Sequence, residues 1–170
     1  MDTELYINNL LGAFATTLSS AIDENVGGVG LRSGSAATAL VTVFNHPNES
    51  IDVLRRILNV THSGAVRLIN GLETEGLVER KPSAQDRRAV VLRLTKNGDT
   101  RAKAVLAARE NVTTRIVENL SAEQREALLP VLATMLQTLT GDQSSARRNC
   151  RLCNEGVCRP NGCPVEQAVT

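Results

Sequence analysis

The sequence predicts a mainly α-helical protein carrying one small β-hairpin, and three observations point there. Leu, Val, Ile and Ala recur at three- and four-residue steps through most of the first 140 residues, the period of helices with one buried face. Near position 60, two short helical segments with capping residues before them are joined by a turn of about three residues. Between 77 and 94 the pattern becomes two strand-like runs around a polar, basic connector. Aromatic content is only 2%, so the core is expected to be aliphatic, which suits interlocked helices. A hydrophobic content of 42% argues against wholesale disorder.

Taken in order, Leu5, Ile7, Leu11, Phe14, Leu18 and Ile22 mark a long first helix, which Gly27-Gly28-Val29-Gly30 ends. No Gly-Lys-Ser/Thr follows those glycines, so a phosphate loop is not expected there. A second helix over about 34–45 is small and apolar, and His46-Pro47-Asn48 stops it because the residue before proline disfavours helix. Ser50 reads as an N-cap for a helix over 51–58, with Asp52 placed favourably in its first turn. Thr61 caps the next helix, whose buried stripe is Ala65, Leu68, Ile69 and Leu72 and which ends near Glu75 before Gly76. The runs 77–80 and 89–94 form a hairpin whose connector, 81–88, has three basic residues. Thr95 opens a long helix with Val105, Ala108, Val112, Ile116 and Leu120 on one face. Ser121 and Gln124 make a capping box for a last helix, where Leu128, Leu132, Met135 and Leu139 form a coiled-coil-like seam. Pro130 within that helix is expected to bend it or break one hydrogen bond.

The chain is nearly neutral, at +1, but the charge is unevenly placed. Residues 55–101 hold ten Lys/Arg against five Asp/Glu, whereas residues 1–54 hold one against six. A basic middle suggests one face for a polyanion; a solvated surface of mixed charge is the plainer reading. No run of 18 apolar residues occurs, and the Met1-Asp2-Thr3-Glu4 start lacks the flank of a secretory signal, so a cytoplasmic protein without a membrane span is expected. No G-x-S-x-G, H-E-x-x-H or Walker sequence is present, and enzymatic function is not expected.

The segments 58–67 (LNVTHSGAVR), 72–80 (LETEGLVER) and 86–98 (DRRAVVLRLTKNG) together resemble the recognition helix and wing of MarR-family regulators. The element order over about 5–140 is similar to the family's as well. The resemblance implies a winged helix-turn-helix domain flanked by long helices that form a dimerisation lobe. It also implies an obligate homodimer reading a palindrome in double-stranded DNA, with a small-molecule effector bound between the lobes. The expected division is a dimerisation helix (1–30), the winged domain (31–98), further dimerisation helices (99–141) and a cysteine-rich tail (142–170). On the recognition helix the outward residues are Thr61, His62, Ser63 and Arg67. Arg67 is the best base or phosphate contact, its rival role being a surface ion pair with a glutamate. Arg87 and Arg88 lie at the wing tip, where a guanidinium can enter a narrow minor groove. The resemblance makes Arg88 the inserted residue and Asp86 the residue that orients it.

The tail departs from the family. All four cysteines fall there, as Cys150-x2-Cys153-x4-Cys158-x4-Cys163, followed by Pro164. Arg147, Arg148, Arg151 and Arg159 are expected to favour thiolates, and Gly156 and Gly162 to allow tight turns. Ordinary thiols or disulfides are the bland reading. Four sulfurs at ligand spacing point instead to a metal: Zn²⁺, which accepts four thiolates, or an iron–sulfur cluster, for which four thiolates also suffice. Such a centre would make the regulator redox- or metal-responsive, with the tail adjoining the last helix. In the alternative, the metal is only structural and a small molecule is the signal.

Overall fold

The computed structural model describes residues 2–86 and 88–170. Helix α1 (Thr3–Gly27) starts at Asp2, whose carboxylate accepts the Glu4 and Leu5 N–H groups. Helix α2 (Gly34–Asn45) is capped by Ser33, and its residues 36–43 are all buried. Helix α3 (Ile51–Leu58) begins at the expected cap, Ser50, and ends at Asn59 in the left-handed conformation. Helix α4 (His62–Thr74) is capped by Thr61, and Gly76 follows at φ +68°, a conformation that favours glycine. The α3–turn–α4 pair is the expected helix-turn-helix.

Strands β1 (Val78–Pro82) and β2 (Val90–Leu94) are antiparallel, with Val78 opposite Leu94 and Pro82 opposite Val90. The hairpin thus starts one residue later than expected on each side and runs through Lys81 and Pro82. Proline is tolerated there because this is the end of a two-stranded ribbon. Helix α5 (Lys96–Val117) follows, capped by Thr95, and α6 (Ala122–Thr138) carries the complete Ser121/Gln124 capping box, with Pro130 inside it.

The main core joins α2, α3, α4 and the hairpin through Leu40, Leu54, Ile69, Leu72 and Leu92. Leu54 is 0% exposed, so Leu54→Ala should lower unfolding stability by about 2–5 kcal/mol in denaturant titrations. A second cluster, Val26, Ala37, Val41, Val105 and Leu106, ties α1 and α5 to α2. By contrast, no residue of α6 is buried, and the first turns of α1 expose Leu5, Tyr6, Ile7, Leu10, Leu11 and Phe14. In the seam expected on α6, Leu132 and Leu139 are exposed, and Leu128 and Met135 are half-buried.

The cysteine segment is folded. It forms α7 (Gln143–Asn149), α8 (Glu155–Cys158), a 3₁₀ turn (Arg159–Asn161) and α9 (Pro164–Gln167). Gly162 takes φ +78°, as a tight turn requires. Gly156 does not: it lies within α8 at negative φ, so the expected turn role belongs to Gly162 alone. Among the described residues, no helix is long and apolar enough to cross a membrane.

Candidate nucleic-acid interface and cysteine site

Thr61, His62, Ser63 and Arg67 are all exposed, while Ala65, Ile69 and Leu72 of the same helix are buried. The i, i+4 spacing inside the helix therefore turns one face to the core and leaves the other to solvent. Thr61 Oγ1 accepts the Gly64 N–H at 3.1 Å and lies 3.2 Å from Ser63 Oγ, so its first task is the cap. Arg67 makes no ion pair among the described residues.

Several other basic residues of the middle segment are engaged. Arg55 and Arg56 both bind Asp52, and Arg56, then Arg55, hold that carboxyl below its ordinary pKa. Arg80 binds Glu73 and donates to Asn70 Oδ1 at 2.7 Å, which braces β1 against α4. Arg93 donates to Asn48 Oδ1 at 2.7 Å.

At the hairpin tip, Ser83 N–H donates to the Ala89 carbonyl at 2.8 Å, and Ala89 N–H to the Asp86 carbonyl at 2.9 Å. The Asp86 carboxylate accepts the Arg88 backbone N–H at 2.9 Å, a local turn motif. Asp86 therefore acts on the Arg88 main chain, setting where its exposed side chain departs. Arg87 lies outside the described residues.

The four cysteines are free thiols that line one cavity of about 460 Å³, together with His46, Arg147, Glu155, Arg159 and Glu166. Cys150 and Cys158 pack against the small cluster of Ala146, Cys163 and Val165. The expected role of the tail arginines needs correction. Arg147 pairs with Glu49 at 2.8 Å, Arg148 donates to Ser144, and Arg159 pairs with Glu166 at 2.6 Å. Only Cys153 is held low, at about 6, chiefly by a hydrogen bond from the Cys150 thiol, with Arg109 of α5 and Arg151 adding to it. Burial, with Cys163 beside it, pushes Cys158 up to about 11, and Cys150 is also raised, first by its bond to Cys153. Among the described residues, no three His, Cys, Asp or Glu side chains are grouped so as to hold a metal ion.

Sequence reading missed the docking of this tail. Asn45 Nδ2 donates to the Cys153 carbonyl at 2.9 Å, and His46 Nε2 lies 2.8 Å from Glu155 Oε1. These pairs are 108 and 109 residues apart, and no local pattern marks them.

Comparisons with known proteins fit this geometry. Residues 32–89 match the model of the MarR family. A regulator from Bacillus subtilis, YdgJ, described as an uncharacterized HTH-type transcriptional regulator, is 32% identical over 97 residues. Over its winged domain the chain is thus similar to the MarR family. The YdgJ match takes in 56% of this chain and 59% of YdgJ, so the chain spans somewhat over half of that relative's length. Among solved structures, the YusO protein of B. subtilis aligns with a TM-score of 0.68 at 22% identity, over 81% of this chain and 98% of its own. FabT of Streptococcus pneumoniae, solved in complex with DNA, gives a TM-score of 0.63 at 25% identity, over 81% and 97%. The chain shares the fold of these structures, mostly helix with a two-stranded hairpin, and YdgJ is described as a transcriptional regulator. The cysteine tail lies outside the residues that the family model matches.

Proposed function

We propose that this protein is a transcriptional regulator that binds double-stranded DNA sequence-specifically, as a homodimer on a palindromic operator. One observation carries the reading: the second helix of the helix-turn-helix presents an exposed Arg67, which has no ion-pair partner among the described residues, beside the exposed edge Thr61–His62–Ser63. A guanidinium on a helix that enters the major groove can take guanine O6 and N7 together. Arg88, exposed at the wing tip beside Asp86, is the residue we assign to the adjacent minor groove. Lysines and arginines on phosphates supply affinity that falls with salt. FabT, seen with DNA, supports the same use of the same fold.

The exposed apolar residues of α1 and α6 supply the dimer contact, since a monomer would leave both helices with bare hydrophobic faces. The tail adds regulation: a metal centre on its four cysteines, iron–sulfur or zinc, modulates operator binding.

The test is an operator titration with Arg67→Ala. The expected loss is about 1–3 kcal/mol, with discrimination relaxed at one base position. Arg56→Ala, whose guanidinium is already bound to Asp52, should cost far less. Equal affinity and unchanged specificity in Arg67→Ala would remove the residue from the interface.

A second reading has one specific support. A cavity of about 400 Å³ between α5, α6 and the tail sets Leu106, Val117 and Val157 beside Arg109, a setting suited to a small lipophilic acid. In that reading the metal is structural, and the acid weakens DNA binding whatever the metal content.

A further inference from the structure

Helix α2 is a core helix, yet two of its buried residues are threonines, Thr38 at 6% exposure and Thr42 at 4%. Four residues apart, they share one face of the helix. Threonines inside other helices of the chain return their hydroxyls to the carbonyl four residues back, as Thr16, Thr74 and Thr100 do. Thr38 and Thr42 do not: among the described residues neither hydroxyl makes a hydrogen bond. A buried hydroxyl without a partner is costly, and folded proteins leave few of them. Thr42 lines a void of about 10 Å³, the size of one water molecule. Thr38 lines a cavity of about 380 Å³, the size of a small-ligand site.

The polar groups around Thr38 are nearly all donors. Gly34 and Ser35 open α2 on the cavity, and the Ser33 cap takes only the Ala36 N–H. The free N–H groups and the positive end of the helix dipole therefore lie beside the Thr38 hydroxyl. From the tail come Arg148 and Arg151, neither in an ion pair among the described residues. Arg148 donates to Ser144 Oγ and Arg151 to the Arg148 carbonyl, which leaves most of each guanidinium's five N–H groups unused. An occupant must bring negative charge and several acceptor oxygens. A phosphoryl group does so, since its oxygens point in three directions and suit a helix start and a guanidinium together.

The rest of the lining describes the remainder of the ligand. Val26, Ile57, Leu58 and Leu152 form an apolar wall. Asp23 is the one carboxylate on the lining; it disfavours a second negative charge there and can accept a hydroxyl proton. Leu58 ends α3, and Asn59 begins the turn before Thr61, the cap of α4. An occupant thus touches the turn that sets the reading helix. Thr38 lies too deep for the backbone of a rigid duplex, which favours a small molecule.

We propose that this cavity binds a small phosphomonoester. Arg148, Arg151, Ser35 and Thr38 hold its phosphoryl group at the start of α2, and its organic part lies against Val26, Ile57, Leu58 and Leu152. The site goes beyond the DNA-binding reading and rests on it only for what the ligand controls.

The experiment titrates the full chain by calorimetry with phenyl phosphate, inorganic phosphate and benzoate. Phenyl phosphate should bind one per chain, more tightly than inorganic phosphate, which lacks the apolar contact, and more tightly than benzoate. Thr38→Val removes the hydroxyl and keeps the shape. It should weaken phenyl phosphate by about 10- to 150-fold, the worth of one hydrogen bond to a charged group. The same variant should melt at a higher temperature than wild type without ligand, because an unpartnered buried hydroxyl has gone. Thr38→Ser should keep the affinity, and Arg151→Ala should lose it while remaining folded. No binding of phenyl phosphate at millimolar concentration overturns the site, as does equal affinity in wild type, Thr38→Val and Arg151→Ala. Tighter binding of benzoate overturns the phosphate assignment. A tenfold loss of operator affinity in ligand-free Thr38→Val would give these groups to the DNA backbone and remove the small-molecule site. If phenyl phosphate binds as expected but the wild-type chain shifts no operator DNA, the DNA-binding reading fails and the site stands.

Discussion

Alanine in place of Gly98 should lower stability by about 3 kcal/mol, near the upper end for overpacking. A Cβ built on Gly98 would lie 1.8 Å from the Leu77 carbonyl oxygen and 2.8 Å from its carbon. Both are main-chain atoms, so no rotamer change relieves the clash. Nor can the corner retreat easily. Thr95 N–H donates to that same Leu77 oxygen at 3.1 Å, and Thr95 Oγ1 donates to the Gly76 carbonyl at 2.6 Å. The Gly98 N–H in turn donates to Thr95 Oγ1 at 3.0 Å, which fixes the first turn of α5 against the corner. Thermal unfolding should fall by about 6–12 °C for a chain of this size. The comparison variant is Gly71→Ala, inside α4 with nothing within 4 Å of the new Cβ. There the same change should stabilise by about 0.4–1 kcal/mol, because only the unfolded chain feels it. If both variants melt at the same temperature, the close approach at Gly98 is not what holds α5 to the wing.

Glutamates at Leu132 and Leu136 should separate the homodimer and lower operator affinity by about 10²–10⁴-fold, the usual gain from joining two binding modules. Both leucines lie on α6, where no residue is buried within the chain, and they are 44% and 39% exposed. Leu129 and Leu139 extend the same apolar helix at 74% and 72%. Two carboxylates buried against a partner without a counter-charge are costly. Sedimentation of wild type and variant measures the assembly, and circular dichroism checks that the variant stays helical. A wild-type chain that sediments as a monomer at micromolar concentration would refute the dimer directly. A folded monomeric variant with undiminished operator affinity would refute its role in DNA binding.

Much of the reading head was legible because its signals are local. Ser50 and Thr61 are placed by cap chemistry, Gly76 by its left-handed turn, and the aliphatic stripe of α4 by helical period. Such features depend on residues within one turn of one another, so a single chain suffices to read them. The strand limits slipped by a residue or two, because cross-strand bonding carries β1 on through Lys81 and Pro82 despite their turn-like chemistry.

The cysteine tail marks the opposite case. Its ligand spacing is local and stood out at once, but its surroundings did not. The arginines nearest in sequence are mostly occupied by Glu49, Ser144 and Glu166, while Arg109, some forty residues upstream, is the first charge acting to lower the Cys153 pKa. Gly98 is similar: the sequence marks a glycine after Leu94-Thr95, and only packing shows that Leu77 leaves no room for a Cβ. From the sequence alone came the element order as far as α6, the caps, the wing and the four thiols, since each is dictated by neighbours along the chain. Tertiary structure alone decided that the tail rests on α3 and α6 and that Asn45 and His46 hold it. Those contacts join residues about a hundred positions apart, and no short-range pattern encodes such a pairing.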